Sequence, residues 1–89
     1  MIEERCVLVN RAGLHARSSS KLAELASRFD CAVQVGIGTK VVDGKSILAL
    51  MMLAATQGTE ITLTIQGAEE EEAMTALLEL IAEGFGEPR

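Results

Sequence analysis

The chain has no tryptophan and no tyrosine, and only two phenylalanines. Proteins that grip single-stranded nucleic acid stack its bases on aromatic rings, and that mode has few platforms here. The charge is also wrong for a polyanion. Eight Lys and Arg stand against 13 Asp and Glu, a formal net charge of −5, so a nonspecific nucleic-acid surface is excluded. Cys6 and Cys31 are isolated, without C-x-x-C spacing, and there is a single histidine. No metal site of usual ligand spacing can be drawn from these, and the thiols read as apolar residues in or beside strands. The longest apolar run, Ile47 to Ala55, is too short to cross a bilayer. The start, Met1-Ile2-Glu3-Glu4-Arg5, lacks the apolar core of a secretion signal. The expectation is a cytoplasmic domain that needs no cofactor and engages neither nucleic acid nor membrane.

What is present suffices for one domain. Of the 89 residues, 48% are hydrophobic, so a core can be built from Leu, Ile, Val, Ala and Met. Arg5 to Val9 reads as a strand and Ala16 to Arg28 as a helix, with Arg28 in its last turn. Ala32 to Ile37 and Lys40 to Asp43 read as a hairpin across Gly36 and Gly38. Ser46 is a natural N-cap for a short helix from Ile47 to Leu53 that is apolar nearly all round. Ile61, Leu63 and Ile65 alternate with Thr62, Thr64 and Gln66, a strand with one wet and one dry face. Glu69 to Glu72 open a last helix as a solvated acidic turn, with Met74, Leu77, Leu78 and Ile81 on its apolar stripe. The tail beyond Gly84 and Gly86 is expected to fray. The order β-α-β-β-α-β-α predicts an α+β two-layer sandwich. Residues 1–89 form one domain, and periodicity alone leaves the strand order open.

The distinctive stretch is Asn10-Arg11-Ala12-Gly13-Leu14-His15-Ala16-Arg17-Ser18-Ser19-Ser20-Lys21. Leu22, Leu25, Ala26 and Phe29 follow at helical spacing, so His15 falls at a helix start, where backbone N–H groups lack partners and the dipole favours an anion. No acidic residue lies between Glu4 and Glu24, while Arg5, Arg11, Arg17 and Lys21 do, half of the chain's eight cations. A neutral imidazole there is a nucleophile beside an anion site. A lone histidine is more often a capping or surface residue, and Arg17 alone would be an ordinary exposed side chain.

Gly13-Leu14-His15-Ala16-Arg17 closely resembles the active-site motif of the HPr family, the histidine-containing phosphocarriers of the bacterial phosphotransferase system, which includes the nitrogen-branch relatives. Gly44-Lys45-Ser46-Ile47 resembles the family's regulatory serine motif, and Gln57-Gly58-Thr59-Glu60-Ile61 its turn before the last strand. The resemblance implies an open-faced sandwich: a four-stranded antiparallel sheet of order 1-4-2-3 with three helices on one face. It implies a stoichiometric carrier, not an enzyme. Enzyme I, phosphorylated by phosphoenolpyruvate, passes its phosphoryl group to Nδ1 of His15, and an enzyme IIA domain receives it. Arg17 would steady the phosphoryl oxygens, with N–H groups of Ala16 and Arg17 donating to them. Ile47, Leu48 and Met51 would form the docking patch, with Met52 in the core or at its rim. Ser46 would be the site of HPr kinase/phosphorylase in lineages that have it, and the protein would be a monomer.

Two positions depart from the family pattern. Ser18 replaces the usual proline of the first helical turn, returning a donor and some flexibility. Ala12 removes a side-chain hydrogen bond that relatives with Asn or Ser offer, leaving the orientation of His15 to backbone contacts. Ser18, Ser19 and Ser20 otherwise read as capping and surface hydroxyls. Gly44-Lys45-Ser46 is not a P-loop, because Thr39 stands where that motif needs glycine. The alternatives are a nitrogen-branch or kinase-regulated signalling protein that binds effectors by phosphorylation state, and a small ligand- or metal-binding α+β domain.

Overall fold

The most regular strand of the sequence lies at the middle of the sheet. In the computed structural model, which describes residues 1–89, β4 (Glu60–Gln66) runs between β1 (Ile2–Val7) and β2 (Ala32–Ile37). Beyond β2 lies β3 (Lys40–Asp43), giving four antiparallel strands in the order β1-β4-β2-β3. Ile61, Leu63 and Ile65 are fully buried. The register sets Cys6 opposite Ile61, Val35 opposite Leu63, and Val33 opposite Ile65, so apolar residues share one face. The other face carries Glu3, Arg5, Gln34, Thr62 and Thr64. Helices α1 (Ala16–Ala26), α2 (Ile47–Met52) and α3 (Glu70–Ala82) cover the apolar face. Leu22, Ala26, Leu50, Leu77 and Ile81 join the strands in one buried cluster. Burying a Leu or Ile contributes about 1.5–3 kcal/mol relative to leaving it exposed.

Several local expectations need correction. β1 begins at Ile2 and stops at Val7, earlier at both ends than expected, because the β4 ladder extends to an Ile2–Ile65 pair. The charged pair Glu3-Glu4 hid that beginning. α1 ends at Ala26: the Arg28 N–H donates to Leu25 and the Phe29 N–H to Ala26, tighter turns that leave Arg28 outside the helix. Met52, expected in the core or its rim, is 67% exposed. Ser19 is fully buried rather than a surface hydroxyl, and its Oγ finds no partner. The acidic run is only partly solvated. Glu69 accepts the Asp30 N–H at 2.7 Å, and Glu70 pairs with the amino terminus at 3.1 Å.

The largest correction is the tail, which does not fray. Gly84, Phe85 and Gly86 take φ values of 66°, 57° and 74°, three left-handed residues in succession. The two glycines adopt that conformation readily; Phe85 does so at a cost of about 1–2 kcal/mol. Its buried ring, 1% exposed, outweighs that cost. Lys21 Nζ donates to the Phe85 carbonyl at 2.6 Å, and the Arg11 N–H donates to that of Pro88 at 2.8 Å. The Arg89 guanidinium reaches back to the Ala82 carbonyl at 2.9 Å. The last residues are thereby strapped across the start of α1.

Candidate functional site

The loop between β1 and α1 is shaped by Asn10 and Gly13. Asn10 is fully buried, and its Nδ2 donates to the Gly13 carbonyl at 2.8 Å while its own carbonyl accepts the Gly13 N–H at 3.2 Å. Gly13 has φ 65°, and a Cβ there would lie 2.3 Å from the Ala55 carbonyl oxygen. Only glycine allows that approach, which lets the Leu14 N–H reach Ala55 at 2.9 Å. The loop is thus clamped to the segment after α2.

His15 emerges from this clamp as the N-cap of α1, with φ −120° and ψ −170°. Its Nδ1 accepts the Arg17 N–H at 3.3 Å, work usually done by Ser, Thr, Asp or Asn. Ser18 completes a capping box: its Oγ accepts the His15 N–H at 3.0 Å and donates to the Gly13 carbonyl at 2.7 Å. Ser18 is fully buried and bonded on both sides of its hydroxyl. Its hydroxyl locks the turn that a proline would only pre-set.

The other ring nitrogen meets a residue that sequence reasoning missed. Nε2 of His15 lies 2.9 and 3.0 Å from the two carboxylate oxygens of Glu87, 72 positions away in the chain. Orientation of His15 therefore rests on a side chain as well as on backbone contacts. Asn10 Nδ2 also donates to Glu87 at 3.0 Å. Burial pushes the Glu87 pKa up, but the bonds from His15 and Asn10, with the Lys21 charge and that of the His15 ring whenever it is protonated, more than offset this. They hold it below the ordinary carboxylate range. The available signal was Phe85, one of only two aromatic residues, set between glycines in a supposed frayed end.

The cation cluster is smaller than the sequence suggested. Arg5 pairs across Thr62 on the polar face of the sheet, away from the helices. Lys21 and Arg11 are committed to the tail. Arg17 remains exposed at the start of α1, with Ala16 beside it, and no acidic residue occupies that first turn. The first-turn N–H groups have no partners within the helix, so the end of α1 presents donors and the positive pole of its dipole. The His15 side chain is 36% exposed. None of the surface hollows is lined by it. A nucleophile on an open surface suits reaction with another macromolecule better than capture of a small substrate.

The remaining singled-out residues lie apart from the ring. Ser46 caps α2, its Oγ accepting the Ala49 N–H at 3.2 Å. Ile47, Leu48 and Met51 are 41%, 68% and 39% exposed, and Met52 extends the patch. Cys31 is buried and Cys6 half-buried within β1. Burial, with Glu60 nearby, pushes the Cys6 thiol up to about 11, which leaves it unreactive at neutral pH. No group of three or more His, Cys, Asp or Glu side chains converges on a point where a metal ion would be held.

Comparison with known proteins agrees with this geometry. The family model described as the PTS HPr component phosphorylation site matches residues 2–83. The phosphocarrier protein HPr of Cupriavidus necator is 47% identical over 87 residues, covering 98% of each chain. That of Neisseria meningitidis serogroup A is 48% identical over the same length and coverage. The crystal structure of HPr from Thermoanaerobacter tengcongensis superposes with a TM-score of 0.95 at 38% identity, covering all of both chains. Sequence, sheet order and the capped imidazole converge on one answer: the chain belongs to the HPr family of phosphocarriers of the phosphotransferase system.

Proposed function

We propose that His15 accepts a phosphoryl group on Nδ1 from phosphorylated enzyme I and passes it to a histidine on an enzyme IIA domain. The observation that carries this reading is the placement of Nδ1: it holds a lone pair, faces the α1 N-terminus and lies 3.3 Å from the Arg17 N–H. Attack by that lone pair forms the Nδ1–P bond as the donor's bond to phosphorus breaks, and the donor atom keeps the electron pair. The N–H groups of Ala16 and Arg17 then turn to the phosphoryl oxygens. The exposed Arg17 guanidinium, free of other bonds, closes over them. Turnover of free substrate is no part of this chemistry; the chain is modified and unmodified in equal measure.

Ile47, Leu48 and Met51 form the docking patch for both partners, since an exposed apolar cluster on a small domain calls for a covering surface. Ser46 is half-buried at the edge of that patch. A phosphate placed there by an HPr kinase/phosphorylase would keep a helix start as its neighbour and set charge against the docking surface. The carrier reading is tested by intact-mass analysis after incubation with enzyme I and phosphoenolpyruvate. An acid-labile gain of one phosphoryl group, absent in His15→Ala, is expected; no gain on the wild-type chain rejects it.

A further inference from the structure

The imidazole of His15 is satisfied at both nitrogens, and only one neutral tautomer satisfies it. A carboxylate has no proton to give, so Nε2, facing Glu87, is the donor. A backbone N–H cannot accept, so Nδ1, facing Arg17, is the acceptor. The carboxylate responsible is held as firmly as the ring. The Glu87 side chain is 9% exposed and also takes the Asn10 Nδ2–H, and the Phe85 anchor fixes the strap that carries it.

We propose that Glu87 is a positioning residue of the phosphoryl relay, holding the Nε2 proton in place and serving as counterion to the ring while Nδ1 carries the phosphoryl group. This rests on the carrier reading above. The electron count shows what such a partner would face. When the Nδ1 lone pair forms the bond to phosphorus and the Nε2 proton stays, the ring becomes an imidazolium and gains one positive charge. The phosphoryl group faces the N–H groups of α1 on one side, and Glu87 faces the new ring charge on the other. Arg11, Arg17 and Lys21 are the cations nearest the loop and α1, and none of them can offset a cationic ring. On delivery the N–P electron pair returns to Nδ1, the ring becomes neutral, and the proton has not moved. The relay needs no general base.

The test separates orientation from charge. Glu87→Gln keeps a carbonyl oxygen for Nε2–H and for Asn10 but removes the charge; Glu87→Ala removes both. Nitrogen-15 spectra of the unphosphorylated chain report the His15 tautomer, and the phosphorylated fraction is read at fixed phosphoenolpyruvate and pyruvate with limiting enzyme I. Glu87→Gln is expected to retain the Nε2–H tautomer and to lower the ratio of phosphorylated to free protein about tenfold, since a charge-assisted bond becomes a neutral one. Glu87→Ala is expected to mix the two tautomers as well, with far-ultraviolet circular dichroism unchanged. If wild type is phosphorylated and both variants match it in tautomer and in ratio, Glu87 has no such role and the carrier reading survives. Wild type that takes no phosphoryl group removes the carrier reading and the counterion role together; the tautomer spectra then still decide whether Glu87 orients the ring.

Discussion

α1 and α2 both begin with a side chain that accepts a backbone N–H, His15 from Arg17 at 3.3 Å and Ser46 from Ala49 at 3.2 Å. The surroundings then diverge. At α1 the cap is enclosed by Gly13, Ser18, Asn10 and a carboxylate from the far end of the chain. At α2 the cap stands in front of a six-residue helix whose first turn is exposed Ile47 and Leu48. One device serves two ends. The first holds an imidazole between two hydrogen-bond partners, and the second presents an apolar surface. Capping explains why each helix starts where it does; only the neighbours explain what each start is for.

The strongest way to break this contrast is to remove the anchor that only α1 has. Phe85→Ala should cost about 3–5 kcal/mol, as buried aromatic truncations do. Chemical denaturation would measure it, and the His15 ring signals should broaden as Glu87 is released. Next comes Ser18→Ala, which leaves the His15 N–H without its partner and the buried Gly13 carbonyl with the Asn10 bond alone, and should cost about 1–3 kcal/mol. His15 amide exchange should accelerate, while the Ala49 amide stays protected. The matching change at α2, Ser46→Ala, should cost about 1 kcal/mol by thermal melting and leave the His15 spectrum untouched. The smallest effect is that of acid. Because the Glu87 pKa is lowered by folding, its share of stability is full above the ordinary carboxylate range and is lost as pH falls through the lowered value. As pH falls below the ordinary carboxylate range, the Asn10 side-chain and Arg11 amide resonances should shift as the strap loosens, with those of Ser46 and Ala49 fixed.

How far the fold was legible depended on how local its causes were. β4 alternates because one face is wet, and β2, β3 and the start of α2 declare themselves through glycines and a serine. The motif around His15 was equally plain, since cap, glycine and helix pattern lie within a few residues. β1 was misplaced because Glu3 and Glu4 break its alternation, and only the ladder to β4 settles its extent. Arg5 was assigned to the wrong cluster for the same reason: a strand sends neighbouring residues to opposite faces. Glu87 could not be read at all, because 72 positions separate it from the ring it bonds and nothing in the intervening pattern points there. The local half of the site was written in the motif, and the distant half only in the packing.

The central position of β4 has a kinetic consequence. Its neighbours on either side, β1 and β2, are both far from it in sequence, with Ile2 meeting Ile65 and Val33 meeting that same residue from the opposite edge. Both of its pairings close long loops, which the chain must search through before the keystone strand is seated. Such a topology folds more slowly than a helical bundle of equal length. The β2–β3 hairpin, by contrast, is a local pairing that closes across a short turn.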